Sequence, residues 1–145
     1  MKRALAVLLL LAGLAAAPAQ ANDTPSALGA QDRAAIADVI EQQLRAFRAD
    51  DGPAAFALAS PGIQMQFGDA LTFIDMVRRG YRPVYRPRSY SFGALVDSNG
   101  RTVQRLELVG PDGQRALALY YMEQQPDGSW RVSGCMLTES ADVGA

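Results

Sequence analysis

The residues with the greatest capacity for chemistry lie in the run Arg78-Arg79-Gly80-Tyr81-Arg82-Pro83-Val84-Tyr85-Arg86-Pro87-Arg88-Ser89-Tyr90. Five arginines fall within 11 residues, and three tyrosines interleave with them. A guanidinium offers a planar fork of donors that fits a carboxylate or phosphate in bidentate fashion, and a phenol adds a neutral donor. Pro83 and Pro87 favour extended backbone. Extended geometry alternates sides, so Arg82, Arg86 and Arg88 would share one face and Tyr81 and Tyr85 the other. If no bulge intervenes, the arginine face continues into Tyr90 and Phe92, and the three guanidinium groups would rim a pocket for an anionic group. The plainer alternative is that these arginines pair with surface acids, or lie along a sheet edge that the prolines protect.

Acid–base chemistry would fall to carboxylates and phenols. Glu123 shares strand parity with Leu117, Leu119 and Tyr121, at the end of an apolar row where a raised pKa would suit a proton-transfer role. Tyr120 and Tyr121 are the candidate donors beside it. Alternatively, Glu123 is a strand-end residue facing water next to the turn Gln125-Pro126-Asp127-Gly128. Glu107 alternates with Arg105 and reads as half of a cross-strand ion pair. Asp50-Asp51, Asp97 and Asp112 have no calcium-loop spacing, and no glycine-rich phosphate loop occurs, so neither metal nor cofactor is expected.

Composition narrows the chemistry further. The chain has 145 residues, 14 basic and 15 acidic side chains and no histidine. Without histidine the commonest general base and zinc ligand are missing, along with any Ser-His-Asp arrangement. A formal charge of −1 gives no surplus of cations for phosphate backbones, which argues against nucleic acid as a partner. The one cysteine, Cys135, cannot close an internal disulfide; it is either a buried free thiol or a link to a second chain.

The N-terminus has the pattern of a secretory signal. Lys2 and Arg3 precede an apolar run, Ala4 to Ala17, and Ala19-Gln20-Ala21 follows as an A-x-A-like cleavage site. The run is shorter than the roughly 20 residues of a membrane-spanning helix. The expectation is cleavage after Ala21, a periplasmic or secreted product, and no stable membrane anchor afterwards. Every basic group left is then arginine, which also removes Schiff-base chemistry.

The elements that must position these side chains follow from periodicity. Residues 22–30 read as a flexible leader, 31–140 as a single domain and 141–145 as a tail. Asp32 is placed to cap a helix in which Ile36, Ile40, Gln43/Leu44 and Phe47 recur at helical spacing, with Gly52 as its left-handed stop. Pro53 opens a second helix and Ser60-Pro61 a third that Gly68 ends. Asp69 caps a fourth, with Leu71, Phe73/Ile74 and Val77 on one face and Gly80 at its close. The period then changes from helical to two. Tyr90–Val96, Leu106–Leu108, Ala116–Met122 and Trp130–Met136 read as four strands joined by Asn-Gly and Pro-Asp-Gly turns. The third strand, apolar on both parities, is expected to be central and covered on both sides, an arrangement that also allows packing against a second copy. The fold class is α+β: N-terminal helices packed on a curved, four-stranded antiparallel meander.

Several stretches resemble a bacterial family of short exported proteins with no assigned function. They are Phe47-Arg48-Ala49-Asp50-Asp51, Ala59-Ser60-Pro61-Gly62-Ile63-Gln64, Phe67-Gly68, Gly80-Tyr81 with Arg86-Pro87, and Trp130-Arg131-Val132-Ser133-Gly134-Cys135-Met136-Leu137. More distantly, Gly128-Ser129-Trp130-Arg131-Val132-Ser133-Gly134 is similar to the final strand of nuclear transport factor 2-like proteins. That likeness implies a cystatin-like cone, in which a long helix packs into a curved sheet and leaves a pocket. Fold-level likeness carries no function by itself.

Three functional readings follow. The first is a non-catalytic exported binding module whose cone takes a small, partly apolar ligand, with Arg82, Arg86, Arg88, Tyr81, Tyr85, Tyr90 and Glu123 as the candidate contacts. The second is a protein-interaction module that docks or dimerises through its sheet. An isomerase or lyase is the third, and it lacks the residue constellation such chemistry needs.

Overall fold

Short polar side chains fix where most of the helices start. The computed structural model describes residues 28–139. The expected signal at 1–21, the leader up to residue 27 and the tail at 141–145 lie outside the described residues. Helix α1 (Ala30–Arg48) buries Ile36, Ile40, Gln43, Leu44 and Phe47 along one stripe. It begins ahead of Asp32, with Gly29 as an N-cap that offers no side-chain bond. Asp32 sits in the first turn, where a negative charge suits the helix dipole, and accepts from Trp130 Nε1 at 3.2 Å. The left-handed residue after α1 is Asp50 (φ 54°), not Gly52. Aspartate tolerates this conformation because its short polar side chain bonds locally.

Gly52 opens α2 (Gly52–Ala57), where a Cβ would stand 3.4 Å from the Ala70 carbonyl and the Ile74 side chain. Asp51, Ser60 and Asp69 cap α2, α3 (Pro61–Phe67) and α4 (Ala70–Gly80) by accepting from the amides of Ala54, Ile63 and Thr72. In α4, Phe73, Ile74 and Val77 are buried. Leu71, expected beside them, is 79% exposed in the first turn, where no element covers it.

The segment expected to be extended from Arg82 instead makes a further helical turn, α5 (Arg82–Tyr85). Pro83 falls in its first turn, where the fixed φ suits a helix and the missing N–H has no intrahelical bond to lose. Arg82 and Arg86 are therefore set by a helical turn, and only Ser89 begins the alternation of a strand.

The sheet consists of β1 (Ser89–Ser98), β2 (Arg101–Val109), β3 (Arg115–Gln124) and β4 (Trp130–Glu139), all antiparallel in the order β1-β2-β3-β4. Asn99 (φ 53°) and Gly100 (φ 75°) form the two-residue turn that Asn-Gly favours. A bulge between Phe92 and Leu95 breaks the single row expected from Tyr90 to Val96. Before it, Tyr90 and Phe92 pair with Leu108 and Leu106; after it, Leu95 pairs with Gln104 and Val96 with Val103. Val96 is thereby turned away from the helices and is 42% exposed. Buried Gln104 donates from Nε2 to the Gly93 carbonyl inside the bulge at 3.0 Å.

One face of the sheet packs on the helices through Leu106, Leu108, Ala116, Ala118, Tyr120, Met122, Trp130 and Val132, all buried. The opposite face carries Leu117, Leu119 and Tyr121, which are half-buried. Cover of β3 is thus one-sided among the described residues, because all five helices lie on the even-numbered face. The chain between α2 and α3 docks on the free edge of β4. Ser60 N donates to Val132 O at 2.8 Å, and Val132 N donates to Leu58 O at 2.9 Å.

Candidate functional site

The helices do not fill the space over the sheet. A cavity of about 590 Å³ lies between them and the β3–β4 hairpin. Its wall is largely aromatic and aliphatic: Phe47 from α1, Ile63 and Phe67 from α3, Phe73, Met76 and Val77 from α4, Val84 from α5, and Val132 from β4. Phe73 centres an aromatic cluster, with Phe56, Phe67 and Phe47 rings at 5.4, 5.7 and 6.2 Å. These tilted and edge-on contacts make the helical side of the wall stiff. Gln66 is exposed, and Ile63, Phe67, Met76 and Tyr81 are half-buried, so solvent reaches the cavity on that side. The volume falls within the range of small-molecule sites.

Polar groups on this wall are few and uncharged. Gln43 is buried and uses its Nε2 to donate to the Ala55 carbonyl at 3.2 Å. Tyr81 donates its hydroxyl to the Cys135 carbonyl at 3.1 Å. Ser133 donates to the Tyr121 carbonyl at 3.1 Å. Tyr120 is wholly buried, and its hydroxyl has no hydrogen-bond partner among the described residues. Burial raises the pKa of Tyr81, and that of Tyr120 much further, and it pushes the free Cys135 thiol up to about 12. All three groups are therefore neutral at pH 7, and among the described residues no Asp, Glu, Lys or Arg lines the cavity.

Of the seven candidate contacts, only Tyr81 belongs to this wall. Tyr85 and Arg86 serve a different cluster, built around the left-handed Asp50. The Tyr85 hydroxyl donates to Asp50 Oδ1, and Arg86 Nη2 lies 2.7 Å from the same oxygen. The Arg86 guanidinium stacks 4.4 Å from the centre of the Tyr85 ring and also donates to the Phe47 carbonyl. The Tyr85 hydroxyl first, and Arg86 second, hold the exposed Asp50 carboxyl below its ordinary 3.8. This cluster fastens α5 to the end of α1.

Arg88 donates to the Pro111 carbonyl at 2.8 Å, tying the start of β1 to the β2–β3 turn. Arg82 is exposed on α5, and Tyr90 packs edge-on against Phe92 at 6.1 Å. Glu123 is exposed at the end of β3, where Gln125 donates to it. The three arginines thus do not converge. The cross-strand ion pair expected of Glu107 does not form among the described residues: its partners across the sheet are Ser91 and Leu117, neither of them charged.

The sequence marks Tyr120 as a donor, and the likeness stated above implies a pocket between helix and sheet; neither marks Gln43 as a polar group on its wall or α3 and α4 as its sides. The available signal was Gln43 itself, a polar residue inside the apolar stripe Ile36-Ile40-Leu44-Phe47. Among the described residues no group of three His, Cys, Asp or Glu side chains comes together for a metal, and no helix is long and apolar enough to cross a membrane.

No curated protein and no solved structure matches the chain. One family does, over residues 29–145, a span that includes every element from α1 to β4. The chain therefore belongs to the DUF4864 family, a domain of unknown function.

Proposed function

We propose that the chain is an exported, non-catalytic binding module that holds a small, mostly apolar molecule between its helices and its sheet. The observation that carries this reading is the cavity of about 590 Å³, walled by packed aromatic and aliphatic side chains and open on one side. Water in an apolar cleft of this size keeps aromatic and aliphatic surface hydrated, and a ligand body removes that surface from water. Export rests on Lys2-Arg3, the apolar run and Ala19-Gln20-Ala21. The arrangement of helices over a four-stranded sheet supports a likeness to the nuclear transport factor 2-like cone. Catalysis has less support, because every titratable group on the wall is held neutral and none is poised near pH 7.

The test is native mass spectrometry of the protein prepared from its own cells, beside the variant Met76→Trp. Met76 is a half-buried wall residue, so indole at that position narrows the cavity while leaving the core intact. A co-purifying mass of a few hundred daltons, lost in Met76→Trp, is expected. An unliganded wild-type protein that also fails to take up added 2-ethylnaphthalene refutes the reading.

A second reading is favoured by the uncovered sheet face. Leu117, Leu119 and Tyr121 are half-buried there, and Met136 is 50% exposed. Arg105, Arg115 and Arg131 share that face with Glu107 and Glu123, a mixture of signs that suits the two-fold, self-complementary packing of a second copy. Sedimentation should then give a dimer that Leu119→Asp converts to monomer. A wild-type protein that stays monomeric at high concentration refutes it.

A further inference from the structure

The cavity's few polar atoms restrict what can occupy it, and this inference rests on the binding-module reading above. Tyr120 contributes to the wall from β3, and its hydroxyl is the one buried side-chain polar atom among the described residues without a hydrogen-bond partner. Burial holds that phenol in its protonated form, so it can donate. Gln43, on helix α1, lines the same cavity and donates one N–H of its amide to the Ala55 carbonyl. Among the described residues no formal charge lies on the wall. An ionised ligand would lose its hydration there without a counter-charge, which is far costlier than burying a neutral oxygen that finds a donor.

We infer that the ligand is an uncharged, mostly apolar molecule carrying a carbonyl-type oxygen, and that the Tyr120 hydroxyl donates to this oxygen. The hydroxyl lies just beneath the wall, out of reach of water. An acceptor therefore bonds it only where a ligand displaces the side chains that cover it. Among neutral molecules, selection then comes from the partner that Tyr120 lacks in the empty protein. Tyr81 and Ser133 cannot take this role as readily, because each already donates to a backbone carbonyl.

Three probes of one shape separate the possibilities. 2-Acetylnaphthalene carries the carbonyl, 2-ethylnaphthalene replaces it with an apolar group, and 2-naphthoate replaces it with a charge. Titration calorimetry on the wild-type protein should show the ketone binding roughly five- to tenfold more tightly than the hydrocarbon, the gain of one neutral hydrogen bond. The carboxylate should bind more weakly than either. In Tyr120→Phe the ketone should lose its advantage while the hydrocarbon binds as before, which also demonstrates that the variant is folded. Equal affinities of ketone and hydrocarbon in the wild type would overturn the inference and leave the binding-module reading intact. A preference for 2-naphthoate, or a ketone preference that survives in Tyr120→Phe, would likewise overturn it. Failure of all three to bind would overturn the inference, and together with an unliganded protein from native cells it would overturn the binding-module reading as well.

Discussion

Replacing Tyr120 by phenylalanine should make the empty protein more stable. Most tyrosine-to-phenylalanine changes in a core cost stability because the hydroxyl has a partner. Here the hydroxyl is fully buried, its residue belongs to the same core as Leu106, Ala118 and Met122, and no described residue bonds it. An unsatisfied buried donor carries a desolvation penalty of about 1–3 kcal/mol. Its removal leaves a gap no larger than one oxygen, which takes back part of that gain. A net stabilisation of about 1 kcal/mol follows, a rise in Tm of roughly 4 °C for a domain of this length.

The assay is calorimetric or urea-induced unfolding of protein stripped of small molecules by refolding, because any bound ligand would stabilise the wild type selectively. Tyr85→Phe is the internal control. The same edit removes a hydroxyl that donates to the Asp50 carboxylate, so it should lower the midpoint instead. If Tyr120→Phe proves less stable than the wild type by 1 kcal/mol or more, the hydroxyl is satisfied in solution, and the reasoning that makes it available to a ligand fails. A more stable protein that loses its ligand preference would be the familiar trade between stability and function.

Three other measurements bear on the scaffold. Because the folded state depresses the Asp50 pKa, the stabilisation from its ionised form is fully present above pH 3.8 and disappears as pH falls through the folded-state value. Asp50→Asn keeps a side chain that tolerates the left-handed backbone. It should lower the urea midpoint near neutrality, with the gap to wild type closing in acid; a gap that persists at pH 2 would exclude the charge as its source. Gln104→Leu strips the Gly93 carbonyl of its donor inside the β1 bulge and should cost about 1–3 kcal/mol in unfolding experiments, whereas a neutral result would mean the bulge carbonyl is satisfied by other means. Burial pushes the thiol of the half-buried Cys135 up to about 12, so it should react with iodoacetamide at pH 8 far more slowly than a free thiol, and at the ordinary rate in urea. Rapid labelling of the native protein would refute the burial of that sulfur.

Much of this architecture could be read from single residues. Asp51, Ser60 and Asp69 announce three helix starts because capping is a local bond between a side chain and an amide three residues on. Asn99-Gly100 announces a turn for the same reason. What could not be read depends on partners distant in sequence. Arg86 looked available to an anion, yet its guanidinium is taken up by Asp50 and the Phe47 carbonyl, 36 and 39 residues earlier. The β1 bulge reverses the outlook of Leu95 and Val96; Gly93 inside it is the local signal, but a lone glycine does not fix where the register slips. The cavity is a property of how α3 and α4 stand off from β4, and no periodicity encodes a distance. Tyr120 was legible as a polar residue in an apolar strand; that its hydroxyl is unpartnered was not.

The final strand ties together both ends of the domain, and this has a consequence for how the chain acquires its structure. Trp130 reaches back 98 residues to Asp32, and Val132 exchanges backbone bonds with Leu58 and Ser60. Until β4 has been synthesised, α1 lacks the neighbour that seats its first turn, and the joint between α2 and α3 has no strand to dock on. The earlier helices and hairpins can form locally, but their apolar faces stay uncovered. Contacts of such long separation are closed late and slowly, because loop entropy must be overcome before they return anything. A chain arrested or cut before Trp130 would therefore remain open and adhesive, and the last ten residues of the described structure act as the fastener that converts a set of local elements into a folded protein.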